Sequence, residues 1–135
     1  MSEETRESGW PVQYPFNGAN EQIGYRVFPD EMENDPNVFF HGTSASNLAS
    51  IVRNGFRPTQ VLSSVSFARD SSLALNYACS ARSADSPDGC VIMVKFEDVN
   101  TTGIRSESFG VHVDDLSRLP TIIGYCIIPK EYVFV

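Results

Sequence analysis

A short apolar run that leads directly into a helix pattern constrains this chain most. Residues 37–40, Asn-Val-Phe-Phe, have the composition of a strand that is covered on both faces. His41 and Gly42 follow at once, and Thr43 or Ser44 can cap the helix that comes next. The pattern therefore predicts a buried strand that ends at His41, with the imidazole at a strand-to-helix turn.

The helix after this turn has one apolar face and a defined end. Its apolar side chains recur at helical spacing: Leu48, Ile51, Val52 and Phe56. Gly55 stands where a glycine commonly stops a helix. We expect an amphipathic helix here that packs against the preceding strand.

The rest of the chain predicts a second helix and several strands. β-rich runs mark strands at 64–68, 90–96, 111–113, 121–128 and, after Pro129-Lys130, 131–135; a helix capped by Asp70 spans about 71–82. This order is typical of an α+β fold, with two early helices against a mixed sheet. We expect a single domain over residues 37–135. Residues 1–36, rich in proline and glycine, are expected to form an irregular acidic segment packed on it.

The charge and the cysteines exclude some functions. The net charge is −7, and eight acids against two arginines in residues 1–35 account for −6 of it. Nonspecific nucleic-acid binding requires a basic face, and the sequence shows none. The three cysteines lack metal-site spacing, so we expect no structural zinc, and Cys90 and Cys126 lie in apolar runs typical of a core.

The sequence also shows no signal for membrane insertion or export. No apolar run approaches the roughly 20 residues that span a bilayer. The acidic N-terminus lacks the basic-then-apolar order of a signal peptide. We therefore expect an intracellular protein, cytoplasmic or nuclear, with no membrane partner.

Three segments carry motifs whose internal spacings match one enzyme family. The first is His41-Gly42-Thr43, with Asn47 six residues after the histidine and Gly-x-Arg at 55–57. The second runs from Ser66-Phe67-Ala68 to Asn76-Tyr77-Ala78-Cys79, with Ser66 and Tyr77 eleven residues apart. The third is residues 130–135, Lys-Glu-Tyr-Val-Phe-Val. In this order they resemble the His-Tyr-Glu branch of the ADP-ribosyltransferases, the poly(ADP-ribose) polymerase-like enzymes.

The resemblance implies a fold and a reaction. The fold is an ADP-ribosyltransferase-like split mixed β-sheet that holds NAD+, the co-substrate, between its halves. The reaction transfers ADP-ribose to a protein or nucleic-acid acceptor and releases nicotinamide. Chain elongation requires a second ADP-ribose site, for which little sequence remains. We therefore expect a monomeric mono-ADP-ribosyltransferase that uses NAD+ and no metal.

The resemblance also assigns roles to residues. His41 would hydrogen-bond a ribose hydroxyl, and Gly42, without a Cβ, would let the backbone approach the carboxamide. Tyr77 would stack on the nicotinamide ring. Glu131 would hold the ribose 2′-hydroxyl, place negative charge beside an oxocarbenium-like state and orient the acceptor as general base. Arg57 would contact the adenosine side or the phosphates.

Further cofactor-binding positions follow from the same motifs, and two of them depart from the family pattern. These positions are Thr43, Ser66, Phe67 and Ala74. Ser66 stands where many relatives have a second tyrosine, so we expect stacking on one side only. Ala74 stands where they have a serine that binds the carboxamide, and the loss of such a hydrogen bond costs about 0.5–1.5 kcal/mol. We expect weaker NAD+ binding, not its abolition.

Other interpretations of these residues stay open. A histidine at a strand end and a tyrosine on an apolar helix face are more often structural, and Glu97 and Glu107 are competing acids. For the whole chain, one alternative is a non-catalytic module that binds NAD+ or ADP-ribose. Another is an NAD+ glycohydrolase, in which water replaces the acceptor.

Overall fold

A computed structural model describes residues 10–57 and 65–133 of the chain. The strands are β1 (Val12–Tyr14), β2 (Val38–Ser44), β3 (Val65–Ala68), β4 (Gly89–Lys95), β5 (Ile104–Glu107), β6 (Gly110–Val113) and β7 (Thr121–Ile128). The helices are α1 (Asp30–Glu33), α2 (Leu48–Asn54) and α3 (Ser71–Ser80). Single 3₁₀ turns occupy Glu21–Ile23, Ala45–Asn47 and Leu116–Arg118.

The seven strands form one mixed sheet in the order β1-β7-β4-β2-β3-β6-β5. β1 pairs with β7 in parallel, and the other neighbouring strands are antiparallel. The prediction of a mixed α+β protein is confirmed. None of the helices in the described part of the chain has the length and apolarity that a membrane crossing requires.

Two apolar cores lie on opposite faces of this sheet. On one face, α3 and the segment before β2 cover alternate residues of β2 and β4, such as Phe40 and Met93. On the other face, α2 and Phe56 cover the intervening residues, such as Phe39 and Ile92. Full burial of such a side chain stabilises the fold by about 1.5–3 kcal/mol. β4 is buried from both sides, which explains its continuous apolar sequence.

The central residues of most predicted strands lie in strands of the structure, but several predicted boundaries are wrong. β2 does not end at His41: it continues to Ser44 because β4 pairs with it from Val38 to Ser44. α2 therefore begins only at Leu48, after a 3₁₀ turn, and neither Ser44 nor Asn47 caps a helix with its side chain. Gly55, with φ of +81°, ends α2 as predicted. Cys90 and Cys126 are core residues, as expected.

Three further boundary predictions are wrong. α3 ends at Ser80 and not near residue 82, and Asp70 precedes it without a side-chain capping bond. No sequence pattern predicted β5, which pairs with β6 as a hairpin. The strand predicted for 131–135 is absent over 131–133, where the chain leaves a turn at 130–131, and residues 134–135 lie outside the described residues.

The segment before β2 is more ordered than the expected irregular lead-in. β1 extends the sheet at β7, and Phe28 stacks on Phe40 with ring centroids 5.6 Å apart. The buried carboxylate of Glu33 accepts hydrogen bonds from the backbone N–H groups of Val27 and Phe28 and from the hydroxyl of Ser71. This carboxylate joins the segment to the first turn of α3.

We predict that Glu33→Ala lowers the free energy of unfolding by about 1.5–3 kcal/mol, because three donors lose a charged acceptor. Glu31→Ala is the matched control, since Glu31 lies on the same helix with an exposed side chain. Urea unfolding measures both variants. Equal stability of the two variants would contradict this anchoring role.

Candidate functional site

The sheet is weakest between β2 and β3, and this seam opens a cavity. β2 and β3 share the single register pair Phe40–Ala68. By contrast, β2 pairs with β4 over seven residues, and β3 pairs with β6 over four. Beyond Phe40 the two strands diverge, so four strands lie on one side of the seam and three on the other.

The imidazole of His41 bridges this seam. Its Nδ1 lies 3.0 Å from the backbone oxygen of Ser66. A carbonyl oxygen only accepts hydrogen bonds, so Nδ1 must carry the proton. The ring of His41 packs against Phe56 and Phe67, with ring centroids 5.1 Å and 5.7 Å away. A side-chain bond thus replaces the strand pairing where the backbones have separated.

The protonation state of His41 follows from these surroundings. Burial lowers the pKa of His41 below its ordinary value of 6.5, and the hydrogen bond to Ser66 opposes only part of this shift. The ring is therefore neutral at pH 7. With the proton on Nδ1, its Nε2 carries a lone pair that accepts hydrogen bonds. No described residue is hydrogen-bonded to this Nε2.

The peptide groups of Gly42 point into the same gap. At the two ends of β2, the N–H of Phe96 donates to Asn37 O and the N–H of Ala45 donates to Asp88 O, both at 2.9 Å. The peptide N–H and C=O groups of odd-numbered β2 residues therefore point toward β4, and those of even-numbered residues point toward β3. No β3 residue is in register with Gly42, so within the described chain its N–H and C=O are unpaired by the sheet.

The backbone of Ser66 faces Gly42 across the gap. Arg69 N–H bonds to Phe109 O at 2.8 Å, which shows that odd-numbered residues of β3 face β6. The peptide groups of Ser66 therefore face β2, and its oxygen is the one that His41 contacts. The gap therefore contains peptide N–H donors and a peptide C=O acceptor in the middle of the sheet.

The gap belongs to a cavity of about 500 Å³, which is within the usual range for ligand sites. The described residues that line it are Phe40, His41, Gly42, Ser66, Phe67, Ala68, Leu73, Tyr77, Ser80, Ala81 and Phe109. None of them is a charged residue at neutral pH. Tyr77 is 53% exposed and Phe109 is 42% exposed, so two large aromatic side chains face this cavity without being buried in the core.

The cavity unites five of the residues that the motifs singled out. His41, Gly42, Ser66, Phe67 and Tyr77 all line it, although they come from two strands and a helix. The alternative interpretation of Tyr77 as a core residue of the apolar helix face does not hold, because its side chain is exposed. The apolar face of α3 is formed by Ala74, Leu75 and Ala78.

Two other motif residues have structural contacts instead. The buried Thr43 accepts a hydrogen bond at 3.0 Å from the side-chain amide of Asn47, which holds the chain between β2 and α2. Ala74 is fully buried against β2 and does not line the cavity. A Cβ on Gly42 would lie 2.0 Å from the Ala74 backbone oxygen, so the approach of α3 alone requires this glycine.

Arg57 lies beside the seam but not in the cavity. It follows Phe56, whose ring contacts His41, and its side chain is exposed. No carboxylate of the described chain forms an ion pair with it. An unpaired guanidinium at this position is available to an anionic group that extends from the cavity past His41.

Glu131 does not line the cavity, yet its turn is fastened to the cavity wall. The guanidinium of Arg82 donates to the backbone oxygens of Pro129, at 2.8 Å, and Tyr132, at 2.7 Å. Arg82 directly follows Ser80 and Ala81, which line the cavity. The backbone N–H of Lys130 donates to Asp88 at 3.0 Å. The turn is therefore held on two sides, while the Glu131 side chain is exposed.

A larger cavity of about 740 Å³ lies within residues 14–30. Its charged residues, Arg26 and Asp30, are paired with each other at 3.4 Å. It contains no histidine, and none of the motif residues lines it. The smaller cavity at the seam is therefore the one that contains a histidine and the motif residues.

Some lining residues were missed by sequence reasoning, above all Phe109. It lies in the turn between β5, whose polar residues show no strand pattern, and β6. In the described part of the chain, no cluster of His, Cys, Asp and Glu side chains could hold a metal ion.

No family model, curated protein or solved structure matches the chain.

We predict that His41 titrates below pH 6.5, because protonation would place a charge in a largely apolar site. A folded-state pKa below the unfolded value means that this contribution to stability is complete above pH 6.5 and is lost as the pH falls through the folded pKa. NMR of the imidazole protons measures it directly. The chain has two histidines, so His112→Gln assigns the signals. A His41 pKa at or above 6.5 would contradict the neutral Nδ1–H form.

Proposed function

We propose that the protein is an NAD+-dependent mono-ADP-ribosyltransferase, a glycosyltransferase that acts on the nicotinamide N-glycosidic bond. It transfers ADP-ribose to a protein or nucleic-acid acceptor and releases nicotinamide. The observation that carries the proposal is the opened β2–β3 seam, where the motif residues meet around unpaired peptide groups. An ADP-ribosyltransferase-type split sheet is part of this proposal.

The seam is chemically suited to a carboxamide. A primary amide has the same donors and acceptor as a peptide group, so it can take the place of the missing strand neighbour. The Gly42 N–H would donate to the amide oxygen, and the Gly42 C=O would accept from the amide nitrogen. Such bonds to buried, otherwise unpaired backbone groups favour ligand binding because the groups gain a partner that the sheet does not supply.

Two side chains would orient the rest of the nicotinamide riboside. Tyr77 presents an exposed ring at the cavity wall, available to stack on a planar ligand ring. His41 is neutral, and its Nε2 has no hydrogen-bond partner among the described residues, so it would accept a hydrogen bond from a ribose hydroxyl. Arg57, beyond Phe56, would contact the phosphates.

Glu131 would supply the charge that the reaction needs. The bond between the ribose carbon and the nicotinamide nitrogen breaks with its electron pair on nicotinamide, and positive charge develops on the sugar. A carboxylate beside that charge stabilises it, and the same carboxylate can take the proton of the attacking acceptor. Support comes from the hydrogen bonds that Arg82 and Asp88 make to the turn of Glu131, since Arg82 follows the lining residues Ser80 and Ala81 in the chain.

One observation favours a second candidate function. The Glu131 side chain is exposed and is not among the residues that line the cavity. A module that binds NAD+ or ADP-ribose without transferring it needs the seam but not this carboxylate. Incubation with NAD+ labelled in the ADP-ribose part separates the candidates: modified macromolecule indicates a transferase, free ADP-ribose a glycohydrolase, and bound but intact NAD+ a binding module.

We predict that Glu131→Gln lowers kcat by at least about 100-fold while NAD+ affinity changes little, because the carboxylate acts mainly in the transition state. Glu97→Gln is the matched control, an exposed acid that follows β4, and it should retain full activity. Nicotinamide release measures kcat, and calorimetry measures affinity. An unchanged kcat in Glu131→Gln would remove Glu131 from the mechanism.

We also predict that Tyr77→Ala weakens NAD+ binding about two- to tenfold through loss of stacking. Because Tyr77 is 53% exposed, the melting temperature should hardly change. Tyr77→Phe keeps the ring and should bind NAD+ like the unmodified protein. If Phe proved as damaging as Ala, the hydroxyl and not the ring face would be the relevant group.

A further inference from the structure

Two exposed aromatic side chains line the seam cavity, and the sequence predicted a stacking role for only one of them, Tyr77. Among the described residues, four large apolar or aromatic side chains are substantially exposed: Ile23, Tyr77, Phe109 and Val133. Tyr77 and Phe109, the two aromatic ones, line the same cavity. An exposed aromatic ring has an unfavourable contact with water, and it gains when a ligand ring covers it.

The position of Phe109 is fixed by the sheet. Its backbone oxygen accepts a hydrogen bond from Arg69 N–H at 2.8 Å, which ties the β5–β6 hairpin to the end of β3. Its ring packs edge-on with His112 at 5.6 Å between centroids. His112 is in register with Ser66, which also lines the cavity. Phe109 is therefore held at the β3–β6 side of the cavity, whereas Tyr77 projects from α3.

The two exposed rings indicate what this cavity would hold. No acidic residue of the described chain lines it, so the attraction of a cation to this cavity would come from the aromatic faces and neutral acceptors. Aromatic faces attract cations through their quadrupole, and the attraction grows where water is excluded. A planar cationic ring can stack on an aromatic face and is also attracted by it.

We propose that Phe109 forms the second aromatic wall of the ring site, and that Tyr77 and Phe109 together select a cationic pyridinium ring over a neutral one. The inference rests on the proposed function, because that function supplies a pyridinium amide, the nicotinamide ring of NAD+. It replaces the expectation that Ser66 leaves this ring stacked on one side only. Phe109, from the turn between β5 and β6, would take the place of the missing tyrosine.

Two small probes test this without any catalysis. 1-Methylnicotinamide is a pyridinium cation, and nicotinamide carries the same carboxamide on a neutral ring. The full chain should bind the cation more tightly, by about 3- to 30-fold. Phe109→Leu keeps an apolar side chain but removes the ring, so this ratio should fall severalfold. Phe109→Tyr keeps the ring and should restore the ratio. Calorimetry gives the affinities, and an unchanged melting temperature shows that each variant is folded.

The outcomes separate the two proposals. If the unmodified chain binds neither probe, the nicotinamide site itself is wrong, and the inference fails with it. If it binds both with a ratio that Phe109→Leu leaves unchanged while Tyr77→Leu lowers it, the site stands and Phe109 is not its second wall. If the unmodified chain shows no preference for the cation, the selectivity is contradicted. A fall in the ratio for Phe109→Leu, restored by Tyr, supports the inference.

Discussion

The hydrogen bond from His41 to the Ser66 backbone oxygen is the interaction on which the site depends. It joins β2 and β3 beyond Phe40, where no further residues of the two strands are in register. The bond also fixes the tautomer of His41, so that the same ring closes the seam with one nitrogen and offers the other to a ligand. Unpaired peptide groups inside a sheet are costly, so a ligand that pairs with them is favoured.

The two cores hold this seam from opposite faces. On the α2 face, Phe56 and Phe67 pack against the imidazole of His41 and contribute to its burial. On the α3 face, the helix lies so close to β2 that Gly42 has no room for a side chain. The same helix presents Tyr77 to the cavity and, through Arg82, fastens the turn of Glu131. The packing of the two cores and the proposed chemistry therefore depend on the same few residues.

Much of this arrangement could be predicted from sequence, for identifiable reasons. The continuous apolar run of β4 and the glycine stop at Gly55 are local signals, and the structure confirms both. The extension of β2 to Ser44 depends on pairing with β4, a long-range contact that the local His-Gly pattern does not reveal. Phe109 was missed because it lies in a turn that follows the polar strand β5. Ala74 was misplaced because its position in the motif does not reveal that this side of α3 packs against β2. The role of Glu131 stays a prediction.

A crystal structure of the chain with bound nicotinamide would show whether the seam is the ligand site. We predict that the carboxamide lies between β2 and β3, with its oxygen near the Gly42 N–H and its nitrogen near the Gly42 C=O, while the bond from His41 to Ser66 persists. A ligand bound only in the cavity of residues 14–30, or a seam in which β2 and β3 pair fully and exclude the ring, would contradict it.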